Sequence, residues 1–258
     1  MTESQPQTPL ANYRLTLAYD GRAYYGWQRH GDKPTLQGRL EQAIHDCFDV
    51  QSLVQGSGRT DRGAHALGQV ASVSLPADLD PRAALAALAA HMPDDFQVLA
   101  LSPAGPDFHA REAAVSKTYR YRIWNHARCP EAERDRVWHL PTRLDIEAMR
   151  AACLVFVGRH DFGSFAKKPN YVRASTTRTI MAMTLAHDDA TPALIEISMR
   201  ADAFLYKMVR NIVRAIVKVG EGRTPLAELP EILAACDRRA APGTAPASGL
   251  YLDSVDYE

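Results

Sequence analysis

Residues 53–75 read LVQGSGRTDRGAHALGQVASVSL and combine two strand patterns with a glycine-rich loop. Leu53 to Gln55 begins a short strand, and Gln69 to Leu75 alternates apolar and polar residues with the period of two that is typical of a half-buried strand. The loop between them, Gly56 to His65, contains three glycines, which permit positive φ and close approach of the backbone to a ligand. This stretch therefore predicts two strands joined by a loop of defined shape.

The patterns on either side of this stretch complete the first half of the chain. They predict a strand at Tyr13 to Tyr19, a helix at Leu36 to Phe48, a helix at Pro81 to Ala90 and a strand at Phe96 to Leu101. The order is β-α-β-β-α-β, which is that of the ferredoxin-like unit, with an antiparallel sheet and helices on one face.

The second half repeats this order. Strands are predicted at Thr118 to Trp124, Thr179 to Ala186, Ala193 to Met199 and Leu250 to Asp256, and helices at Ile146 to Val157, Leu205 to Val219 and, as an addition, Leu226 to Cys236. Helix starts are indicated by Asp80-Pro81, Thr224-Pro225 and Asp145, where an N-cap residue precedes the first turn.

The predicted fold class is therefore α+β, with two ferredoxin-like (RRM-like) subdomains whose antiparallel sheets meet at a central cleft. Residues 1–10 are predicted to be a disordered N-terminal segment. Residues 11–105 form the N-terminal subdomain, which carries the Asp61 loop, and residues 106–258 form the C-terminal subdomain. The boundary is predicted near Ser102 to Pro106, a stretch that contains proline and glycine.

Composition excludes several other classes of protein. Hydrophobic residues make up 46% and charged residues 23% of the chain, which are ordinary values for a globular protein. No apolar run approaches the length of a membrane span, and the polar N-terminus shows no secretory signal, so a cytoplasmic location is expected. The four cysteines form no CxxC pair and are interpreted as reduced structural thiols and not as metal ligands.

Charge is balanced overall but not locally. The chain has 30 basic and 30 acidic residues, so its net charge indicates no partner. Residues 108–128 and 159–178 each contain five basic residues and one acidic residue, and residues 200–223 contain six and two. These windows either are ordinary solvated surface or bind an anionic ligand such as phosphate.

Asp61 is the candidate catalytic residue of the glycine-rich loop. Arg59 and Arg62 flank it, and opposite charges at about 4 Å attract each other by roughly 4 kcal/mol at an effective dielectric near 20. A carboxylate kept ionised in this way can act as a nucleophile or stabilise positive charge at a sugar carbon. The alternative is a turn that is merely braced by ion pairs.

Two further segments carry candidate site residues. Asp107 to Arg111 precedes a strand in which Tyr119 and Tyr121 share one face while Arg120 and Arg122 share the other. Aromatic rings beside arginines suit unstacked bases and phosphates. The alternative interpretation places the tyrosines, and Tyr121 above all, in the core. His109 is more often a hydrogen-bonded structural histidine than a catalyst.

The third segment is the helix predicted to start at Leu205. Its apolar residues form a stripe on one side, and a row of basic residues lies on the other side. That row either is solvated surface or, near a cleft, meets phosphate or the Asp61 carboxylate. A basic loop before it is interpreted as an anion-contact surface and contains Lys167, Lys168, Arg173 and Arg178.

Gly58 to His65 resembles the GRTDxGVHA motif of the tRNA pseudouridine synthase A (TruA) family. Further matches in chain order are Tyr19 to Gly21, Tyr25 to Gln28, Asp107 to Arg111, Lys117 to Tyr121, Met208 to Val213 and Gly249 to Leu252. Departures are Ala64 in place of the usual Val, His30 where Gln is common, and Glu112 where an aromatic residue is frequent.

This resemblance implies an isomerase that converts uridine to pseudouridine at positions 38, 39 and 40 of the tRNA anticodon arm. It also implies a homodimer without metal or organic cofactor. By the same resemblance, Asp61 is the nucleophile, Arg59 is associated with flipping of the target nucleotide, Tyr119 contacts the uracil, and Arg210 pairs with the aspartate. The RNA-contacting loop then comprises Phe108, His109, Ala110 and Arg111.

Two hypotheses remain at this point: an RNA-modifying isomerase and a non-catalytic module that binds structured RNA. Fold alone permits either. Asp61 discriminates between them, because a carboxylate near phosphates repels RNA and serves no purpose in a pure binder.

Overall fold

A computed structural model describes residues 9–167, 175–187 and 191–258, which form an α+β protein. The predicted class is therefore confirmed. Contacts divide the chain into two compact units. The first contains the described residues up to Ala114 together with Tyr257–Glu258, and the second contains those of Val115–Asp256. Within the described ranges, no helix is long and apolar enough to cross a bilayer.

The first unit contains four strands and two α-helices. In chain order they are β1 (Leu10–Tyr19), α1 (Leu36–Phe48), β2 (Gln55–Gly56), β3 (His65–Pro76), α2 (Pro81–His91) and β4 (Phe96–Pro103). The strands lie in the order β4, β1, β3, β2, and each adjacent pair is antiparallel. Alternate residues of β1, namely Tyr13, Leu15 and Leu17, are buried, as the period of two predicts.

Both helices of this unit have a side-chain cap at their first turn, and the Asp80 cap was predicted from the sequence. The Thr35 hydroxyl accepts a hydrogen bond from the Gly38 N–H at 3.3 Å, and the Asp80 carboxylate accepts one from the Arg82 N–H at 3.2 Å. Caps of this kind contribute about 1 kcal/mol each. Helix α1 buries Leu36, Leu40, Ala43 and Ile44, which share one helical face.

Apart from the strand-end residues Ala114 and Tyr257, which belong to the first unit, the second unit contains the remaining strands and α-helices. They are β5 (Ala114–Trp124), β6 (Trp138–His139), α3 (Ile146–Val155), β7 (Gly158–Asp161), β8 (Thr177–Ala186), β9 (Leu194–Ala201), α4 (Met208–Gly220), α5 (Glu228–Ala234) and β10 (Leu250–Tyr257). The strand order is β10, β5, β9, β8, β7, and β6 pairs with β5. The Asp145 carboxylate caps α3, as predicted, by accepting from the Ala148 N–H at 2.9 Å.

Three sequence predictions about these elements were wrong. The strand predicted at Leu53 to Gln55 lies at Gln55–Gly56, and Leu53 is exposed. The short β6 runs parallel to β5, so the second sheet is not wholly antiparallel. Thr224 does not cap a helix, because the chain first makes tight turns after Pro225 and α5 begins only at Glu228.

Helix α4 is buried on almost every side. The predicted apolar stripe is confirmed, since it is buried throughout: Leu205, Met208, Val209, Ile212, Val213, Ile216 and Val217. Its basic residues do not form a freely solvated face. The Arg210 Nε donates to the Ala245 carbonyl at 2.7 Å, the Arg214 guanidinium lies 5.2 Å from the Trp138 ring centre, and Lys218 pairs with Glu221 at 2.8 Å.

Candidate active site

Asp61 begins a tight turn in the first unit. The Ala64 N–H donates to the Asp61 carbonyl at 3.0 Å, and Gly63, the third residue of the turn, has a φ of 76°. A positive φ at this position is a feature of type II turns and favours glycine. Asp61 itself is half-buried, and the turn gives its backbone a fixed shape.

The residue before Asp61 ties the turn to the sheet. The Thr60 hydroxyl and the Tyr19 hydroxyl of β1 are 2.9 Å apart, and the Thr60 carbonyl accepts from the Trp27 N–H at 3.1 Å. Burial raises the pKa of Tyr19, so its hydroxyl stays protonated and can keep this contact at physiological pH.

The glycine-rich part of the loop is fixed by β3. The Gln69 Nε2 donates to the Gly58 carbonyl at 2.7 Å, while the Ser57 hydroxyl donates to the Gln69 Oε1 at 2.8 Å. The Ser57 N–H also donates to the Val70 carbonyl at 2.7 Å. The loop therefore has a defined shape, as the sequence predicts.

Gly26 packs directly against this loop, and its replacement by Ala is expected to be costly. Its φ is 90°, and an added Cβ would lie 2.7 Å from the Thr60 carbonyl oxygen. Left-handed backbone costs a non-glycine residue about 1–2 kcal/mol, and overpacking adds about 1–3 kcal/mol. We expect Gly26→Ala to lower the free energy of unfolding, measured by urea denaturation, by about 2–5 kcal/mol.

Gly31 provides the matched control for this prediction. Its φ of 51° is also positive, but nothing lies within 4 Å of the added Cβ. Gly31→Ala should therefore lose only about 1–2 kcal/mol. Equal losses for the two variants would contradict the role assigned to packing between Gly26 and the loop.

The sequence suggests that Arg59 and Arg62 form ion pairs with Asp61, but the part of the chain that the structure describes shows neither pair. Both Arg59 and Arg62 are exposed. Among the described residues, neither makes an ion pair with Asp61, and the Arg62 guanidinium instead lies 4.1 Å from the centre of the Tyr25 ring. Hydrogen bonds and glycine geometry contribute to holding this turn.

The loop that precedes β5 is anchored mainly through its backbone. The Ala110 N–H donates to the Ser72 hydroxyl at 3.2 Å, and the Ala110 carbonyl accepts from the Tyr257 hydroxyl at 2.6 Å. The Phe108 ring packs 5.2 Å from the Tyr257 ring. Burial raises the pKa of Tyr257 to about 12, so it remains a donor across the physiological range.

Within this loop, His109 has a structural role, as the sequence interpretation favours. Its Nδ1 accepts from the Arg111 N–H at 3.2 Å and from the Glu112 N–H at 3.3 Å. Ala110 is fully buried, whereas Arg111 is exposed. The exposed Arg111 therefore carries a charge of this loop on a backbone that is held by a hydrogen bond.

Tyr119 and Tyr121 lie on the same face of β5 but in different surroundings. The Tyr121 side chain is fully buried, and its hydroxyl donates to the Pro246 carbonyl at 2.7 Å, which confirms the core interpretation for this residue. Tyr119 retains 7% exposure, and its ring meets the Phe204 ring edge-on at 4.9 Å.

The arginines on the opposite face of β5 form ion pairs with carboxylates. Arg120 pairs with Asp253 at 2.9 Å, and Arg122 pairs with Glu133 at 3.1 Å and with Glu196 at 3.3 Å. Carboxylates of neighbouring segments therefore already occupy these guanidinium groups. The predicted phosphate-binding role of Arg120 and Arg122 is wrong.

The other predicted site residues belong to the second unit. Arg210 lies in the first turn of α4 and is half-buried. Lys167 is exposed, and its ammonium lies 5.9 Å from the Tyr206 ring centre. Lys168 and Arg173 lie outside the described residues. The candidate site residues thus come from both units, with Asp61, Arg59 and the 108–111 loop in the first and Tyr119, Arg210 and Lys167 in the second.

The four cysteines are free thiols. Burial raises the pKa of Cys153 to about 12, which keeps this thiol protonated and unreactive. In the part of the chain that the structure describes, no three His, Cys, Asp or Glu side chains are grouped so as to hold a metal ion.

Asp61 thus lies on a turn held by a backbone hydrogen bond and by Gly63, with the exposed Arg59 and Arg62 beside it. A family model described as tRNA pseudouridine synthase matches residues 16–111 and 152–258. The chain belongs to the tRNA pseudouridine synthase family.

Individual relatives match along nearly the whole chain. A tRNA pseudouridine synthase A of Methylacidiphilum infernorum is 40% identical over 96% of this chain and 96% of its own length. A protein of the same name from Rhodospirillum rubrum is 41% identical over 96% of this chain and 88% of its own. A tRNA pseudouridine synthase A 2 of Clostridium perfringens is 37% identical over 96% of this chain and all of its own.

Proposed function

We propose that this protein isomerises uridine to pseudouridine at positions 38, 39 and 40 in the anticodon arm of tRNA. The observation that carries this proposal is Asp61, whose turn is fixed by hydrogen bonds to Thr60, Gly58 and Ala64 in a chain of the tRNA pseudouridine synthase family. A carboxylate on a backbone held in this way fits a reaction in which one sugar carbon must be addressed accurately.

The reaction exchanges one bond for another without a net change in composition. The C1′–N1 bond breaks, the uracil rotates, and a C1′–C5 bond forms. The proton of C5 leaves, and N1 gains a proton. Asp61 either attacks C1′ directly or takes a sugar proton on a glycal path, and both routes use an ionised carboxylate.

The other roles in this proposal follow the residues that match the family motif. Tyr119 contacts the uracil, Arg59 assists flipping of the nucleotide, and Arg210 pairs with the aspartate. The exposed position of Arg59 supports its role, because a side chain that replaces a flipped base must reach into the RNA. Flipping costs a few kcal/mol, which phosphate contacts can offset.

Binding of the tRNA around this site is assigned to two basic segments. One comprises Phe108, His109, Ala110 and Arg111, where the exposed Arg111 supports a phosphate contact. The other comprises Lys167, Lys168 and Arg173, where the exposed Lys167 supports the same assignment.

We also propose a division into two subdomains and a homodimeric assembly. Residues 11–105 and 106–258 are proposed as two ferredoxin-like subdomains. Support comes from the strand order β4, β1, β3, β2 in the first unit and β10, β5, β9, β8 in the second. The enzyme is further proposed to be a cytoplasmic homodimer, for which light scattering should give about twice the 28.5 kDa chain mass.

The direct test is release of tritium from tRNA that carries tritium at uracil C5. Because C5 loses its proton in this reaction, the purified protein should release tritium from tRNA with uridine at position 38, 39 or 40. A tRNA with cytidine at all three positions is the matched control. Release no faster than in the absence of protein, or equal release from the control tRNA, would refute the proposal.

A further inference from the structure

Tyr25, Arg62 and Lys33 form an exposed group beside the Asp61 turn, here called the Tyr25 cluster. The Arg62 guanidinium lies 4.1 Å from the centre of the Tyr25 ring, and the Lys33 ammonium lies 5.2 Å from it. Tyr25 is 39% exposed, which is high for a large aromatic side chain. Two cations therefore share one aromatic ring at the protein surface.

Backbone contacts make this cluster continuous with the Asp61 turn. The Tyr25 N–H donates to the Pro34 carbonyl at 2.8 Å, which fixes the Tyr25 backbone relative to the Lys33 segment. The next residue, Gly26, packs against the Thr60 carbonyl, so the Tyr25 backbone is fixed relative to the turn. Arg62 follows Asp61 directly, and consecutive Cα atoms are about 3.8 Å apart.

Ion pairs neutralise two of the cations near the Tyr25 cluster. Arg22 pairs with Asp20 at 2.9 Å, and Arg29 pairs with Glu41 at 3.1 Å. Across residues 9–167, 175–187 and 191–258, no carboxylate lies within ion-pair distance of Arg62 or Lys33. Two like charges on one ring repel each other, and an anion placed between them removes that repulsion.

We propose that the Tyr25 cluster binds a backbone phosphate of the tRNA next to the uridine that Asp61 addresses. This inference rests on the proposed function and adds a substrate contact to it. The guanidinium of Arg62 matches two phosphate oxygens at once, while Lys33 supplies a point charge. Tyr25 is a positioning residue, because its ring restricts Arg62 by a cation–π contact.

Phosphate contacts are tested by the salt dependence of tRNA binding. Each lost contact makes the plot of log Kd against log salt concentration less steep by about one unit. We expect this change for Arg62→Gln and for Lys33→Gln. Arg29→Gln is the matched control, because it removes an exposed cation that Glu41 already neutralises, and it should keep the wild-type slope. Wild-type slopes for Arg62→Gln and Lys33→Gln would overturn the proposal.

The role of Tyr25 is tested by two substitutions. Tyr25→Ala removes a cation–π contact of about 0.5–1 kcal/mol and should weaken tRNA binding about two- to fivefold without changing the salt slope, since both charges remain. Tyr25→Phe keeps the ring and should bind like the wild type. Wild-type affinity for Tyr25→Ala, or equal losses for both variants, would refute positioning by the ring.

Tritium release by the wild type separates this inference from the proposed function. If the wild type releases tritium while Arg62→Gln and Lys33→Gln keep its salt slope, only the phosphate site is wrong. If the slopes change but the wild type releases no tritium, the phosphate site stands and the proposed function fails.

Discussion

Asp61→Asn is expected to abolish pseudouridine formation while tRNA binding is retained. The substitution keeps the size of the side chain but removes the negative charge that either route needs at the sugar. Loss of a nucleophile typically lowers kcat by about 10⁴-fold or more. Tritium release under single-turnover conditions measures the chemical step, and filter binding measures the affinity for tRNA.

The structure explains why this variant should fold normally. The turn is held by the Asp61 carbonyl, which accepts from the Ala64 N–H, and by Gly63, neither of which the substitution alters. Asp78→Asn makes the same change of charge at an exposed turn of the first unit and serves as the control. Pseudouridine formation by Asp61→Asn at more than about one hundredth of the wild-type rate would refute the nucleophile assignment.

The elements that sequence predicted well are those fixed by local signals. Helix α1 lies at the predicted residues because its apolar spacing and the adjacent Thr35 cap agree on the same start. Asp80 and Asp145 cap their helices for the same reason. Thr224-Pro225 shows the same cap pattern but does not start a helix. The turns after Pro225 already satisfy the backbone hydrogen bonds at this point.

Features that depend on distant partners were not predictable in this way. Arg120 and Arg122 alternate correctly along β5, but their pattern cannot reveal that Asp253 and Glu196 lie opposite them. Their interpretation as phosphate-binding groups therefore failed, although the face on which they lie was correct.

In the candidate site too, features set by local sequence were predictable, and features that depend on distant residues were not. The glycine spacing of the Asp61 loop is a local property, so the sequence indicates both its shape and its position. The Tyr25 cluster has no such signal, because the contact between Arg62 and Tyr25 joins residues that are far apart in sequence. A pattern of one aromatic residue before a glycine does not distinguish an exposed ring from a core residue.

Tyr119→Phe is the substitution expected to have the next largest effect on catalysis. It removes the hydroxyl that we assign to the uracil but keeps the ring, whose edge-on contact with Phe204 at 4.9 Å needs no oxygen. A group that contacts the reacting base and assists proton transfer contributes about 10²–10⁴-fold. We expect kcat to fall by about 10²-fold or more while the Kd for tRNA stays at the wild-type value.

Tyr121→Phe makes the identical chemical change two residues along the same face of β5. Its hydroxyl is hydrogen-bonded to the Pro246 carbonyl inside the core, and removal leaves that carbonyl without its donor at a cost of about 1–3 kcal/mol. Tyr121→Phe should therefore lower the free energy of unfolding and leave kcat unchanged, whereas Tyr119→Phe should lower kcat. If both variants lost stability and neither lost kcat, Tyr119 would be a core residue like its neighbour, and the hydroxyl that contacts the uracil would have to come from elsewhere.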